Sequence, residues 1–355
     1  TTSTTNPGYH TWHTQHGTVW HSSPTSNTRP AKTPATHGTP TKATSNMPLA
    51  QKPSTINLPD HISYSSLTQW VECGEKWRLM HGYHATAHTW YATIAGSIIH
   101  AITETWDKNL YRHTNTDIPS FGDLFTEEII RQVGDGEDIR PSGRTCKTVC
   151  ESGGPNKKDY DWWMHYGPIY VERWTTWRKR HTEYEIATIN GQPGIEYPVE
   201  ATLDHDTRVV GYIDRILHNP ATGEYTILDL KTGAIPQGNL QLYTYRHLLH
   251  LKDDIQPAYG MFWTPSHKTA SGDKDTGYDT GPIPLDTEAA RHIGVMYTSA
   301  MQGIANNVFI PHVTPMCKGC PVRDSCWAYG GTQAYRYPTT TITQPQHSKE
   351  DKEHQ

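Results

Sequence analysis

Two hydrophobic rhythms follow one another along this chain, and their order predicts its elements. In "SYSSLTQWVECGEKWRLMHGY", from Ser63, the residues Leu67, Trp70, Val71, Trp77 and Leu79 recur near helical spacing, and Ser63 or Ser65 offers an oxygen to cap the first turn. "YATIAGSIIHAITETWDKNLY" predicts a second helix with Ile94, Ile98, Ala101, Ile102 and Trp106 on its buried side. From Tyr160 to His181, Trp163, Tyr170, Trp174 and Trp177 return at helical steps and end in Arg178, Lys179 and Arg180. That stripe predicts core packing for the tryptophans, with solvent or phosphate contact for the basic tip. The period then shortens to two. "GIEYPVEATL", "TRVVGYIDRILH" and "EYTILDLKTG" read as three strands, the last two joined by the turn-forming "NPATG". "GNLQLYTYRHLLHL" returns to a helix, "AYGMFWTP" is one more strand, and "TEAARHIGVMYTSAMQGIANN" a last helix. Helix, three-strand meander, helix, strand is a mixed α/β core with a helical surround.

Between these segments the pattern lapses. Residues 112–158, with "GDGED", "RPSGR" and "ESGGPNKK", read as a polar insertion or long connection, and residues 266–285 as a loop. The Thr/Ser/His/Pro-rich stretch 1–57 and the end 337–355 carry no apolar periodicity and are expected to be disordered tails around one domain, 58–336. The tails account for much of a hydrophobic fraction of only 34%. A net charge of -5 leaves no basic surplus for a polyanion, so local patches must carry any nucleic-acid contact. No long apolar run suggests a membrane span, and the expected location is cytoplasmic.

The chemistry concentrates in "YTILDLKTGAIPQGNLQLYTY" and the strand before it. Asp214 lies mid-strand in "GYIDRI" and Asp229 near the end of the hairpin partner, 229 - 214 = 15 residues on, so the two carboxylates are cross-strand neighbours. Such a pair repels unless it shares a proton or cation, and a hard ion such as Mg²⁺ or Mn²⁺ relieves the conflict. Lys231 falls on the same face as Asp229, and Gln241 and Tyr245 share a helical face. Taken singly, each of these residues also reads as an ordinary surface charge or helix residue. Their conjunction favours a site.

Gly96 and His100 in "GSIIH", Asp214, Asp229-Leu230-Lys231-Thr232-Gly233, and Gln241 with Tyr245 together resemble the PD-(D/E)XK nucleases of the RecB branch, over roughly residues 61–330. The resemblance implies a metal-dependent deoxyribonuclease. It implies that His100, Asp214, Asp229 and the Leu230 carbonyl hold Mg²⁺ or Mn²⁺, that Asp214, Asp229 and Lys231 are catalytic, and that Gln241 and Tyr245 position DNA. Glu196 and Glu200 are further acidic candidates, Glu196 matching the family position better. Gly96, lacking a side chain, would let a strand approach the helix that bears His100.

Cys317, Cys320 and Cys326 cluster near the end of the domain, within 311–330, while Cys73 stands alone, 326 - 73 = 253 residues before the last of them. Zinc usually takes its thiolates as two close pairs. Three-plus-one resembles the iron–sulfur staple of RecB-like nucleases and implies a [4Fe–4S] cluster, with Zn²⁺ or unligated thiols as alternatives. Cys146 and Cys150 are unassigned, and the His-rich start is expected to be solvated.

The expectation is a DNA exonuclease similar to CRISPR-associated RecB-like exonucleases and their bacteriophage relatives, acting in recombination, repair or DNA processing. DNA with free ends or single strands would be its partner, alongside recombination or processing proteins. A catalytically silent DNA-binding or assembly module that keeps the fold is the competing reading. The carboxylate pair argues against it.

Overall fold

Helix α1 (Tyr64–Glu72) begins at Ser63, whose Oγ accepts the Ser66 N–H at 3.2 Å. Of the two serines suited to the cap, Ser63 takes the place, and Ser65 lies in the first turn. The chain is extended at Cys73 and resumes as α2 (Gly74–Trp77), which runs into one π-helical turn, Arg78–Gly82. Gly74 is required here: a Cβ would sit 2.7 Å from the backbone of Phe309 and Ile310, which cross the helix start. The computed structural model describes residues 59–142, 157–265 and 275–338. The expected tails, Cys146, Cys150 and the His-rich start lie outside those residues, save that Tyr337 and Pro338 give their carbonyls to Arg78.

Helix α3 (Tyr91–Arg112) buries Ile94, Ile98 and Ile102 as its rhythm predicts. Ile99 joins that stripe, and Ala101, expected inside, is exposed. The stretch read as a polar connection holds a helix, α4 (Phe121–Gly134), capped by Ser120. Phe121 and Phe125 bury against α5 (Tyr160–Arg180), where Gly167 leaves room for the Phe121 ring. The glycine-rich flanks masked an apolar spacing, Phe121, Leu124, Phe125 and Ile129, that the helix uses. Trp163, Tyr170, Trp174 and Trp177 of α5 are core residues, as expected. The basic tip is split: Lys179 and Arg180 are exposed, but Arg178 is buried against Asp107 of α3.

Among the described residues the main sheet has seven strands. β1 (Glu185–Ile186) and β2 (Ile195–Leu203) pair along one edge of the long β3 (Thr207–Asn219), and β4 (Glu224–Leu230) pairs along the other. β2–β3–β4 is the antiparallel meander read from the period-two pattern. Helix α6 (Leu240–Asp253) then returns the chain so that β5 (Tyr259–Thr264) lies parallel to β4, Leu230 opposite Trp263. Two short strands, β6 (Tyr278–Asp279) and β7 (Ile283–Pro284), extend the sheet beyond β5 within the segment read as a loop, and α7 (Thr287–Ala305) follows. Ile213, Ile216 and Ile227 enter a core shared with α1, α6 and α7, while Leu217, Leu228 and Leu230 enter a second core under α3, α4 and α5. The result is a sheet covered on both faces, with β4 central and buried. No helix among the described residues is long and apolar enough to cross a membrane.

Candidate metal centre

The hairpin register brings the two aspartates together. Arg215 pairs with Leu228 at the last registered step, so Asp214 and Asp229 come next, where β3 and β4 part. Asp214 Oδ2 accepts the Leu230 N–H at 2.6 Å, and its Oδ1 lies 3.5 Å from His100 Nδ1. On the neighbouring strand, Glu196 falls between the registered pairs Ile195–Arg215 and Tyr197–Ile213, opposite Asp214. Its φ of 44° is left-handed, a conformation costly for a non-glycine residue inside a strand and one that collects at functional sites. Glu196 Oε1 is 3.8 Å from His100 Nδ1. One ligand atom from each of His100, Glu196 and Asp214 lies within 4.8 Å of the other two.

Asp229 sits beside this triad at 1% exposure. Its Oδ1 accepts from Gln241 Nε2 at 2.7 Å. Lys231 Nζ approaches Oδ2 to 2.6 Å but directs its hydrogen bond to Gln241 Oε1 at 2.8 Å, so Oδ2 is a buried oxygen with no aligned donor. Burial, reinforced by the Asp214 charge, pushes the Asp229 carboxyl up to about 7 against the pull of Lys231. Burial opposes the charge on Asp214 too, yet His100, the Leu230 N–H and Arg215 hold it below the usual carboxylate range. Burial likewise disfavours the His100 imidazolium, but Asp214 and Glu196 overcome it and raise the ring to about 10.

These donors fit a hard divalent ion. Carboxylate oxygens converge with one imidazole, and a buried carboxylate oxygen with no aligned hydrogen-bond donor borders them. An open groove of about 530 Å³, lined by Thr93, Gly96, Ser97, Glu104 and Thr232, leads to His100 and Glu196. Gly96 is where the end of β4 meets α3: a Cβ there would be 2.9 Å from Thr232 Oγ1.

The structure therefore gathers His100, Asp214, Asp229, Leu230, Lys231 and Gln241, and adds Glu196. Gln241 and Tyr245 are buried, at 8% and 7%, and Gln241 Nε2 donates to Tyr245 Oη at 3.0 Å; both stand behind Lys231 and Asp229. Glu200 lies apart, paired with Arg208 at 2.6 Å at the exposed end of β2. The sequence reading missed Arg215, Asp107 and Thr103, which are buried next to the site. Asp107 lies seven residues after His100, on the same face of α3, and that spacing was the available signal.

At the other end of α1, Cys73, Cys317, Cys320 and Cys326 line one pocket together with Lys76, Leu79 and Val322. None of these four forms a disulfide. The His312 and Thr314 N–H groups point at Cys73 and Cys317 Sγ, each at 3.4 Å. Burial pushes the Cys320 and Cys326 thiols up.

A mixed α/β sheet carrying an acid-lined groove beside a buried Asp-x-Lys defines the class: a metal-dependent nuclease core. The chain belongs to the PD-(D/E)XK nuclease superfamily, whose family model matches residues 61–327. Members of this superfamily are hydrolytic nucleases that use divalent metals such as Mg²⁺ or Mn²⁺, with DNA as the implied substrate. No curated protein matches the chain. Solved structures do, among them one described as "Crystal structure of SSO0001", at 15% identity, 77% coverage of this chain, 88% of that one, and a TM-score of 0.33.

Proposed function

We propose that this chain is an Mg²⁺- or Mn²⁺-dependent DNA exonuclease of the RecB-like branch. The observation that carries the reading is the convergence of His100, Glu196 and Asp214 next to the buried Asp229 carboxylate, whose Oδ2 lies 2.6 Å from Lys231 Nζ. His100, Glu196, Asp214, Asp229 and the Leu230 carbonyl would hold the ion. When bound, it supplies charge neutralisation at a scissile phosphate and acidifies a water. Asp214 and Asp229 stand buried behind the groove that Glu104 and Glu196 line, so that the ion would sit between them and an entering phosphate. Lys231, fixed between Asp229 and Gln241, presents an ammonium that orients the attacking water or steadies a phosphate oxygen. Gln241 holds Lys231 and Asp229 at their spacing, and Tyr245 anchors Gln241, so both act on DNA through the residues in front of them.

Preference for DNA ends rests on the motif resemblance, as does a setting in phage or bacterial recombination, repair or processing. End-labelled linear and covalently closed circular DNA, single- and double-stranded, incubated with Mn²⁺ or with EDTA, test both levels. Cleavage of linear DNA alone supports the exonuclease, cutting of circles makes it an endonuclease, and metal-independent or absent cutting ends the proposal.

The four cysteines are proposed to hold a [4Fe–4S] cluster that staples α1 to the C-terminal segment. Their shared pocket supports this. Anaerobically purified protein should contain iron and acid-labile sulfide; stoichiometric zinc without iron would overturn the assignment.

A further inference from the structure

Arg215 follows Asp214 directly on β3 and enters the core under α3 and α5. It is fully buried, its guanidinium 5.4 Å from the Trp174 ring. Every arm has a partner: Nε donates to Asp107 Oδ2 at 2.6 Å, one terminal nitrogen to Thr103 Oγ1 at 3.2 Å, and the other to the Asp214 carbonyl at 2.6 Å. That last nitrogen also reaches Glu196 Oε1 at 3.3 Å. Asp107, fully buried as well, is shared: its Oδ1 accepts from Arg178 Nε at 3.2 Å and its Oδ2 from Trp174 Nε1 at 3.0 Å.

Two permanently charged guanidiniums thus face one buried carboxylate. One positive charge is left over; Glu196 takes a hydrogen bond from it at 3.3 Å, and the Asp214 charge stands beside it. This accounts for the left-handed backbone at Glu196, which swings the side chain to a point where the same Oε1 faces Arg215 and His100. His100, Thr103 and Asp107 occupy one face of α3 at steps of three and four. The bonds from Arg215 to Thr103 and Asp107 therefore clamp α3 onto β3 and fix how far His100 stands from Asp214.

We propose that Arg215, locked by Asp107 and Thr103, is a positioning residue that sets the metal triad: it orients Glu196 by direct contact and His100 through α3. This deepens the nuclease reading and rests on it. Groups that orient metal ligands change metal affinity by about 10- to 100-fold when altered.

Mn²⁺ affinity is measured by calorimetry on the full chain without DNA, with circular dichroism as a check on folding. Arg215→Lys, which keeps the charge and loses the fork, should bind Mn²⁺ at least about ten-fold more weakly while folded. Combined with Glu196→Gln, the losses should sum to less than the two singles, because the part of the Arg215 effect that runs through the Glu196 carboxylate is already gone. Additive losses would mean a merely structural role and would overturn the proposal, as would wild-type affinity in folded Arg215→Lys. Should that variant not fold, Thr103→Val removes one hydrogen bond to Arg215, keeps every charge, and should weaken Mn²⁺ by about three-fold; unchanged affinity there overturns it equally. Wild-type protein that binds no Mn²⁺ would instead refute the parent reading.

Discussion

Replacing Asp229 by Asn should stabilise the metal-free protein increasingly as the pH rises. Asp229 is buried, one of its oxygens lacks an aligned donor, and its carboxyl is raised to about 7. The unfolded value is near 3.9, so folding binds a proton between the two. A carboxyl with a raised folded pKa costs nothing at low pH, and destabilises progressively as the pH climbs from the unfolded towards the folded value. Linkage puts the wild-type loss at about 1–2 kcal/mol by pH 5 and several kcal/mol by pH 8. Asn does not titrate. Its amide would face the Lys231 ammonium, an offset that is the same at both pH values and cancels in the comparison. The stability gap should widen by about 2–3 kcal/mol between pH 5 and pH 8, or about 4–12 °C in melting temperature at about 2–4 °C per kcal/mol. Thermal melts of both proteins in EDTA at the two pH values measure it. A gap that stays constant, or narrows with rising pH, would refute the idea that an unneutralised buried carboxylate burdens this site.

Mn²⁺ must displace the proton on His100, a ring held near 10, so affinity should rise steeply from pH 6 to pH 8 with proton uptake by the buffer; calorimetry in two buffers checks this, and a flat profile would contradict it. Lys231→Met should keep Mn²⁺ binding within a few-fold and lower DNA cleavage by about 100-fold or more, separating its role from that of the ligands. Gly167→Ala would drive a Cβ to 2.1 Å from the Phe121 ring and should destabilise by about 1–3 kcal/mol in a denaturant melt, because α4 and α5 must part.

The periodic segments stated their own structure. Six helices or strands around the site follow from apolar spacing at three to four or at two, and a hairpin of 15 residues between Asp214 and Asp229 leaves little freedom in how those side chains meet. Lys231 beside Asp229 follows from the same local geometry.

What the sequence withheld lies in contacts closed over long loops. Glu196 and Glu200 share a face of β2, and period two cannot separate them; the pairing with β3 puts Glu196 opposite Asp214 and Glu200 opposite Val210, at the solvent end. Arg178 looks like part of an exposed basic tip until α5 docks on α3 and Asp107 takes it inside. Gln241 reads as DNA-positioning by resemblance, and the return of α6 supplies what no local pattern announced, its hydrogen bonds to Lys231 and Asp229. Cys73 joins the other three cysteines in one pocket only because Phe309 and Ile310 cross the start of α2. Spacing along the chain fixes which residues share a strand or helix face; which two faces then meet depends on how the whole core packs, and no short window of sequence contains that.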